Sequence, residues 1–212
     1  MEIDYTYSKY KIHKVPMHLD DKEQLRKDLL EYVGFFRPGV KTAQDQAKAA
    51  GIQPGKGISP GIQLHLAFSD TESIGALNRK FSGRVLEYHN QTQERKAVRS
   101  YTNSWVFIST PENRDSGYHN HLDFFPNEPH PTTYTWTYYL DVPNNCVGDE
   151  GMLFFSPTAS DDDAIKIFPE LDSLYIFPAN LHHRPHINPN STNWRIVFAG
   201  NTLLEFKDKV LI

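Results

Sequence analysis

From Ser100 onward the chain breaks into short runs rich in aromatic and β-branched residues, and this texture constrains the fold more than any other feature. SWVFIST, TTYTWTYYLDV, GMLFFSP, DSLYIFPA and WRIVFAG each have the length of a strand. PENRDSG, PNNCVGDEG, SPTASDDD and NPNSTN separate them with the Gly, Pro, Asn, Asp and Ser that turns demand. Several short strands punctuated in this way fold as a sandwich or a jelly roll.

The first hundred residues have a different pattern. Asp20 and Asp21 precede KEQLRKDLLEYVGFF, where Leu25, Leu29, Leu30 and Val33 recur on one helical face. TESIGALNRKF repeats the pattern with Ile74, Leu77 and Phe81, and KTAQDQAKAA is a third helical candidate ended by Gly51. The stretch GIQPGKGISPG is a loop by its glycines and prolines, either a connector or a lid over a pocket rim. Helices first and strands later give an α+β class. The expectation is one domain over residues 1–212. Within it, 1–100 is a helical support region packed outside the major sheet, and 100–206 is the jelly-roll core.

A net charge of -4 carries no electrostatic footprint for nucleic acid. No apolar run approaches the roughly 20 residues that cross a bilayer, and the opening MEIDYTYSKYKIHK has no apolar signal core. Cys146 is the one cysteine, so no internal disulfide forms. A cytoplasmic, reducing compartment is the expectation.

Six of the ten histidines lie at positions 119, 121, 130, 182, 183 and 186. His121 and Asp123 are two apart, and on an extended strand residues i and i+2 point to the same face. Their imidazole nitrogen and carboxylate oxygen converge, a pairing that suits Fe(II), Mn(II) or Zn(II). Alone, the same pair is equally a His–Asp hydrogen bond on a sheet surface. Farther on, an apolar strand, SLYIF, ends at FPANLHHRPH and delivers His182, His183 and His186 at its mouth. Arg195 then opens the apolar run RIVFAG. Facing inward it needs an anionic partner, which a dicarboxylate ligand supplies in a bidentate pair; facing outward it is an ordinary surface arginine. Two histidines and an aspartate together make a 2-His-1-carboxylate facial triad, which leaves three metal positions open.

With these motifs in order, the chain resembles the 2-oxoglutarate/Fe(II) dioxygenases, in their prolyl-hydroxylase-like branch, from Trp105 to Asn201. GYHNHLD resembles G-Y-x-x-H-x-D, and TYTWTYYLD resembles the next strand, which ends in Tyr-Tyr-Leu. GMLFFSP resembles the strand after that, and SLYIFPANLHHRPHINPNSTNWRIVFAGN resembles F-P-x-x-L-x-H followed by an Arg-led strand. The resemblance implies a double-stranded β-helix with flanking N-terminal helices. It implies Fe(II) as metal and 2-oxoglutarate and O₂ as co-substrates, with iron held by His121, Asp123 and His183. Arg195 and Tyr139 would grip the distal carboxylate of 2-oxoglutarate. Period-2 alternation places Thr135 and Thr137 on the Tyr139 face, which would line that pocket.

His183 is favoured as the distal ligand because it stands six residues after Phe177, as in the family pattern; His186, nine residues before Arg195, is the alternative. His119 shares a strand face with His121 and reads as a group behind the ligands, or as a ligand itself if the register is shifted by two. The implied reaction hydroxylates a C–H bond with release of succinate and CO₂. The substrate is a prolyl or other protein side chain, or nearly as readily a small metabolite. Two rival classes stand beside this one: a jelly-roll binding module, for instance for carbohydrate, and a cupin-like metal enzyme that does not use 2-oxoglutarate. Arg195 and Tyr139 turned toward the metal would argue against both.

Overall fold

The fold is described by a computed structural model over residues 2–7, 10–26, 62–65, 72–109, 117–122, 133–186, 189–191 and 195–207. The strands are β1 (Ile3–Tyr7), β2 (Tyr10–Pro16), β3 (Ile62–His65), β4 (Ala97–Ser109), β5 (Thr133–Asp141), β6 (Leu153–Ser156), β7 (Ile165–Ile167), β8 (Ser173–Pro178), β9 (His182–Pro185) and β10 (Arg195–Phe206). Among the described residues the principal helix is α1 (Glu72–Thr92). Seven strands form a major sheet in the order β1-β2-β8-β5-β10-β4-β3, and three form a minor sheet, β7-β6-β9. Every pairing is antiparallel. Two facing antiparallel sheets with a helix on one side are the expected jelly roll.

β5 shows why these residues fold this way. Eight of its nine residues are buried, because both of its faces are covered. Tyr134, Trp136, Tyr138 and Leu140 point to the helix side, where they pack with Phe81, Val85 and Tyr88 of α1 and with Val106, Ile108 and Phe198. Tyr139 points the other way, into a second cluster with Leu153, Phe155, Tyr175, Phe177, Leu181 and Val197 between the two sheets. The site lies on this second side.

The helix expected from Leu77 and Phe81 forms and braces the major sheet from outside, and its stripe continues through Val85 and Tyr88. Its end is fixed. Lys96 Nζ donates to the carbonyls of Asn90 (2.5 Å) and Gln93 (2.7 Å), a cation on unsatisfied helix carbonyls. The Asn90 amide donates to the Ala97 carbonyl (3.0 Å) and accepts from its N–H (2.8 Å), which ties the helix to β4. Residues 22–26 are helical, and Leu25 joins the outer core. The rest of KEQLRKDLLEYVGFF, all of KTAQDQAKAA and all of the loop GIQPGKGISPG lie outside the described residues.

One correction follows for the helices-first reading. Ile3–Tyr7 and Tyr10–Pro16 form two strands that extend the major sheet through the pairing of β2 with β8. Period-2 alternation is present there, with Ile12 facing between the sheets and Val15 facing the helix, but a buried lysine obscures it. Lys14 is 3% exposed and pairs with Glu170, which satisfies the charge inside the sheet.

Phe81 is fully buried, with ring centroids 4.9 Å from Trp136 and 5.0 Å from Tyr138. Phe81→Ala should destabilise the protein by about 3–5 kcal/mol, read as a lower denaturant midpoint. A loss under about 1 kcal/mol would mean that α1 is not integral to the core.

Candidate metal centre

The segment 117–122 meets the minor sheet through backbone bonds. His119 and His183 form an antiparallel bridge, with His119 N–H donating to the His183 carbonyl (3.1 Å) and His183 N–H to the His119 carbonyl (2.9 Å). His121 N–H donates to the Ala179 carbonyl (2.9 Å). The histidines expected at the mouth of SLYIF lie in part on a strand of their own, β9, paired with β6 so that His183 lies opposite Phe155. Its polar run HHRP hides the strand from a pattern reading.

Three imidazoles converge as a result. One ring nitrogen from each of His119, His121 and His183 lies within 4.8 Å of the others. Ring centroids are 4.4 Å apart for His119–His183, 5.0 Å for His121–His183 and 5.3 Å for His119–His121. His183 and His119 each hold Nδ1 against a backbone carbonyl at 3.2 Å, of Leu181 and Gly117 respectively. A carbonyl only accepts, so each Nδ1 carries the proton and each Nε2 keeps its lone pair for a metal. Trp105 stacks on the His121 ring, 5.6 Å away and 6° from parallel.

His186 stands apart from the cluster. Its ring stacks on Phe154 at 5.1 Å and its Nδ1 takes an Arg184 N–H at 2.9 Å. His182 turns away from His183 to Asn120 (3.1 Å). Asp123 lies outside the described residues. His119, read either as a group behind the ligands or as a ligand itself, converges with His121 and His183. Arg195 is 3% exposed, so it is an inward arginine, and its Nη1 donates to the His186 carbonyl at 3.0 Å. Tyr139 and Thr137 are buried on the inward face of β5 as alternation required. Burial pushes the Tyr139 phenol up to about 12, opposed by the Arg195 charge and the Thr137 hydroxyl beside it. Arg195, Tyr139 and Thr137 are thus neighbours.

Pattern reading missed Trp105, seen only as a strand residue, and Asn201, which is fully buried on β10 beside His121. Both belong to strands whose register alone brings them to the histidines.

Burial pushes the His121 imidazole down to about 3, helped by the neighbouring His119. It holds His183 well below 6.5 and lowers His119 as well. All three are therefore neutral near pH 7, the form that binds metal. Each takes up a proton on unfolding once the pH is below 6.5, the ordinary value. Stability of the metal-free protein is then fully present above pH 6.5 and declines as the pH falls, by at most about 1.4 kcal/mol per pH unit for each imidazole. Denaturant midpoints at pH 7, 6 and 5 should fall steadily; a flat profile would mean solvated rings.

No family model matches the chain, and no curated protein matches it in sequence. Solved structures do match the fold. A Pseudomonas putida prolyl-4-hydroxylase superposes with a TM-score of 0.58 at 12% identity, covering 93% of each chain. The non-haem α-ketoglutarate-dependent carbocyclase SnoK of nogalamycin biosynthesis gives 0.63 at 12% identity, over 94% of this chain and 83% of that one. HygX from Streptomyces hygroscopicus, solved with nickel and 2-oxoglutarate bound, gives 0.56 at 12% identity, over 91% and 82%. The chain has the double-stranded β-helix fold of these 2-oxoglutarate-dependent oxygenases.

Proposed function

We propose that this protein is an Fe(II)- and 2-oxoglutarate-dependent dioxygenase that hydroxylates a C–H bond of a peptidyl or small-molecule substrate. The observation that supports it best is the convergence of His121 and His183 inside a jelly roll whose inward face also carries Arg195, Tyr139 and Thr137. The donor set fits the metal: neutral imidazoles, of which His183 turns Nε2 away from its Nδ1 bond to the Leu181 carbonyl, and Asp123 two residues beyond His121 as the carboxylate. Fe(II) with 2-oxoglutarate and O₂ supplies the oxidising chemistry, in which the keto acid leaves as succinate and CO₂ and the substrate gains a hydroxyl.

The chain's own residues bind, orient and exclude water. Arg195 holds the distal carboxylate of 2-oxoglutarate through its planar guanidinium, and Tyr139 donates its phenol proton to the same group. The Tyr139 phenol stays protonated at neutral pH because burial raises it to about 12. Leu153, Phe155, Tyr175 and Val197 keep the pocket dry, which strengthens the carboxylate–arginine attraction. The Leu181 carbonyl orients His183, and Trp105 covers one face of His121 against solvent.

A second reading is a three-histidine centre in a cupin-like metal enzyme that does not use 2-oxoglutarate. The observation favouring it is His119, whose ring is 4.4 Å from His183. Anaerobic calorimetry with Fe(II) separates the two. On the proposed reading His121→Ala, Asp123→Ala and His183→Ala abolish binding, while His119→Ala and His186→Ala retain it. Loss with His119→Ala and retention with Asp123→Ala would establish the three-histidine centre instead.

Arg195→Ala should raise the 2-oxoglutarate KM, because removing one partner of a buried charged pair costs about 3–5 kcal/mol, or roughly two to three orders of magnitude. Succinate release measured against 2-oxoglutarate concentration checks it, and an unchanged KM would remove Arg195 from the pocket.

A further inference from the structure

β4 and β10 bring two asparagines face to face beside the histidines. Asn103 pairs in register with Asn201, and Trp105 with Ala199. Residues two apart on a strand share a face, so Asn103 lies on the side of β4 from which Trp105 stacks on His121 at 5.6 Å. Asn201 is fully buried and stands against the His121 ring. Its Oδ1 accepts from the Thr135 hydroxyl at 3.0 Å, which fixes the side chain; the amide also acts on the His121 ring, but Nδ2 makes no hydrogen bond of ordinary geometry. Among the described residues, Asn201 Nδ2 and Asn103 Oδ1 are buried polar atoms with no hydrogen-bond partner. One donates and the other accepts, yet they are not bonded to each other. Buried polar groups are nearly always satisfied, and a complementary pair left open beside a reaction centre is a recognition element for something that arrives.

We propose that Asn103 and Asn201 form an amide-reading subsite, which takes the N–H of a substrate carboxamide or lactam on Asn103 Oδ1 and its C=O on Asn201 Nδ2. Its place next to the reacting C–H rests on the dioxygenase reading; its ligand chemistry does not. An amide satisfies both asparagines with separate atoms, whereas an ester or ketone satisfies only Asn201 and leaves Asn103 unpaired. Thr135 is a positioning residue for the subsite, since its hydroxyl holds the Asn201 amide in orientation.

The test uses metal-free protein without 2-oxoglutarate and two probes of equal size, 2-pyrrolidinone and γ-butyrolactone. They are followed through the side-chain amide NMR signals of Asn103 and Asn201. The lactam should shift the Asn201 signal and bind about tenfold tighter than the lactone, the worth of one additional hydrogen bond. Asn103→Leu should abolish that preference and Asn103→Asp, which keeps an acceptor, should retain it. If Asn103→Leu does not fold, the wild-type preference and Asn103→Asp still decide. Equal binding of the two probes, or shifts elsewhere than at these asparagines, overturns the proposal and leaves a site filled by ordered water only. Fe(II)-dependent fluorescence quenching by 2-oxoglutarate, run alongside, distinguishes the cases. Its failure with the lactam preference intact would sink the dioxygenase reading and not the subsite.

Discussion

Two backbone hydrogen bonds, exchanged between His119 and His183, hold the centre together. The segment 117–122 belongs to neither sheet, and within the described residues these two bonds and the bond from His121 to Ala179 are its backbone anchors. Because the bridge is antiparallel, the His119 and His183 side chains emerge on the same side, and alternation adds His121. Side-chain convergence is therefore a consequence of main-chain pairing, which is shorter-ranged and more directional than any attraction between the imidazoles. β9 must in turn be held in place, and it is held by β6, whose Phe155 packs edge-to-face on Phe177 with centroids 4.9 Å apart. The aromatic layer between the sheets fixes the register on which the site depends.

The interior is sorted by charge. Arg195 lies at one end of the inter-sheet space, and the buried Lys14 of β2 is answered by the exposed Glu170 ahead of β8. Neutral imidazoles occupy the mouth. Between them stands a cluster in which Leu153, Phe177 and Val197 exclude water. Such a medium makes an unmatched charge costly and a matched one firmly held.

Much of this was legible in the sequence, for physical reasons. A strand buried on both faces is rich in aromatic and β-branched residues, so TYTWTYYLD and SLYIFP were visible as strands. Period-2 alternation correctly put Thr137 and Tyr139 inward and paired His119 with His121 on one face. β2 and β9 were hidden because their inward and cross-strand positions carry Lys14 and His183, whose polarity is compensated by partners distant in sequence. Arg195 was ambiguous until its burial was known, since an arginine opening an apolar strand can face either way. Trp105 and Asn201 had no local signature at all, because cross-strand register, not sequence spacing, sets them beside His121. Alternation placed His119 on the right face but left its role open, because distance to a strand from elsewhere in the chain cannot be read from alternation.

The position of β5 between helix and pocket limits how this scaffold can be altered. Trp136 and Tyr138 on its outer side are locked against Phe81, and Gly200 has no room for a Cβ because Trp136 would lie 2.4 Å from it. Pleating couples the two faces of one strand, so enlarging a residue toward the pocket shifts those locked against the helix. The minor sheet has no such second layer among the described residues, and Lys166 and Phe168 at β7 are exposed. Substitutions are therefore absorbed more readily at the exposed edge of the minor sheet, around Lys166 and Phe168, than in the seven-stranded wall packed on both faces.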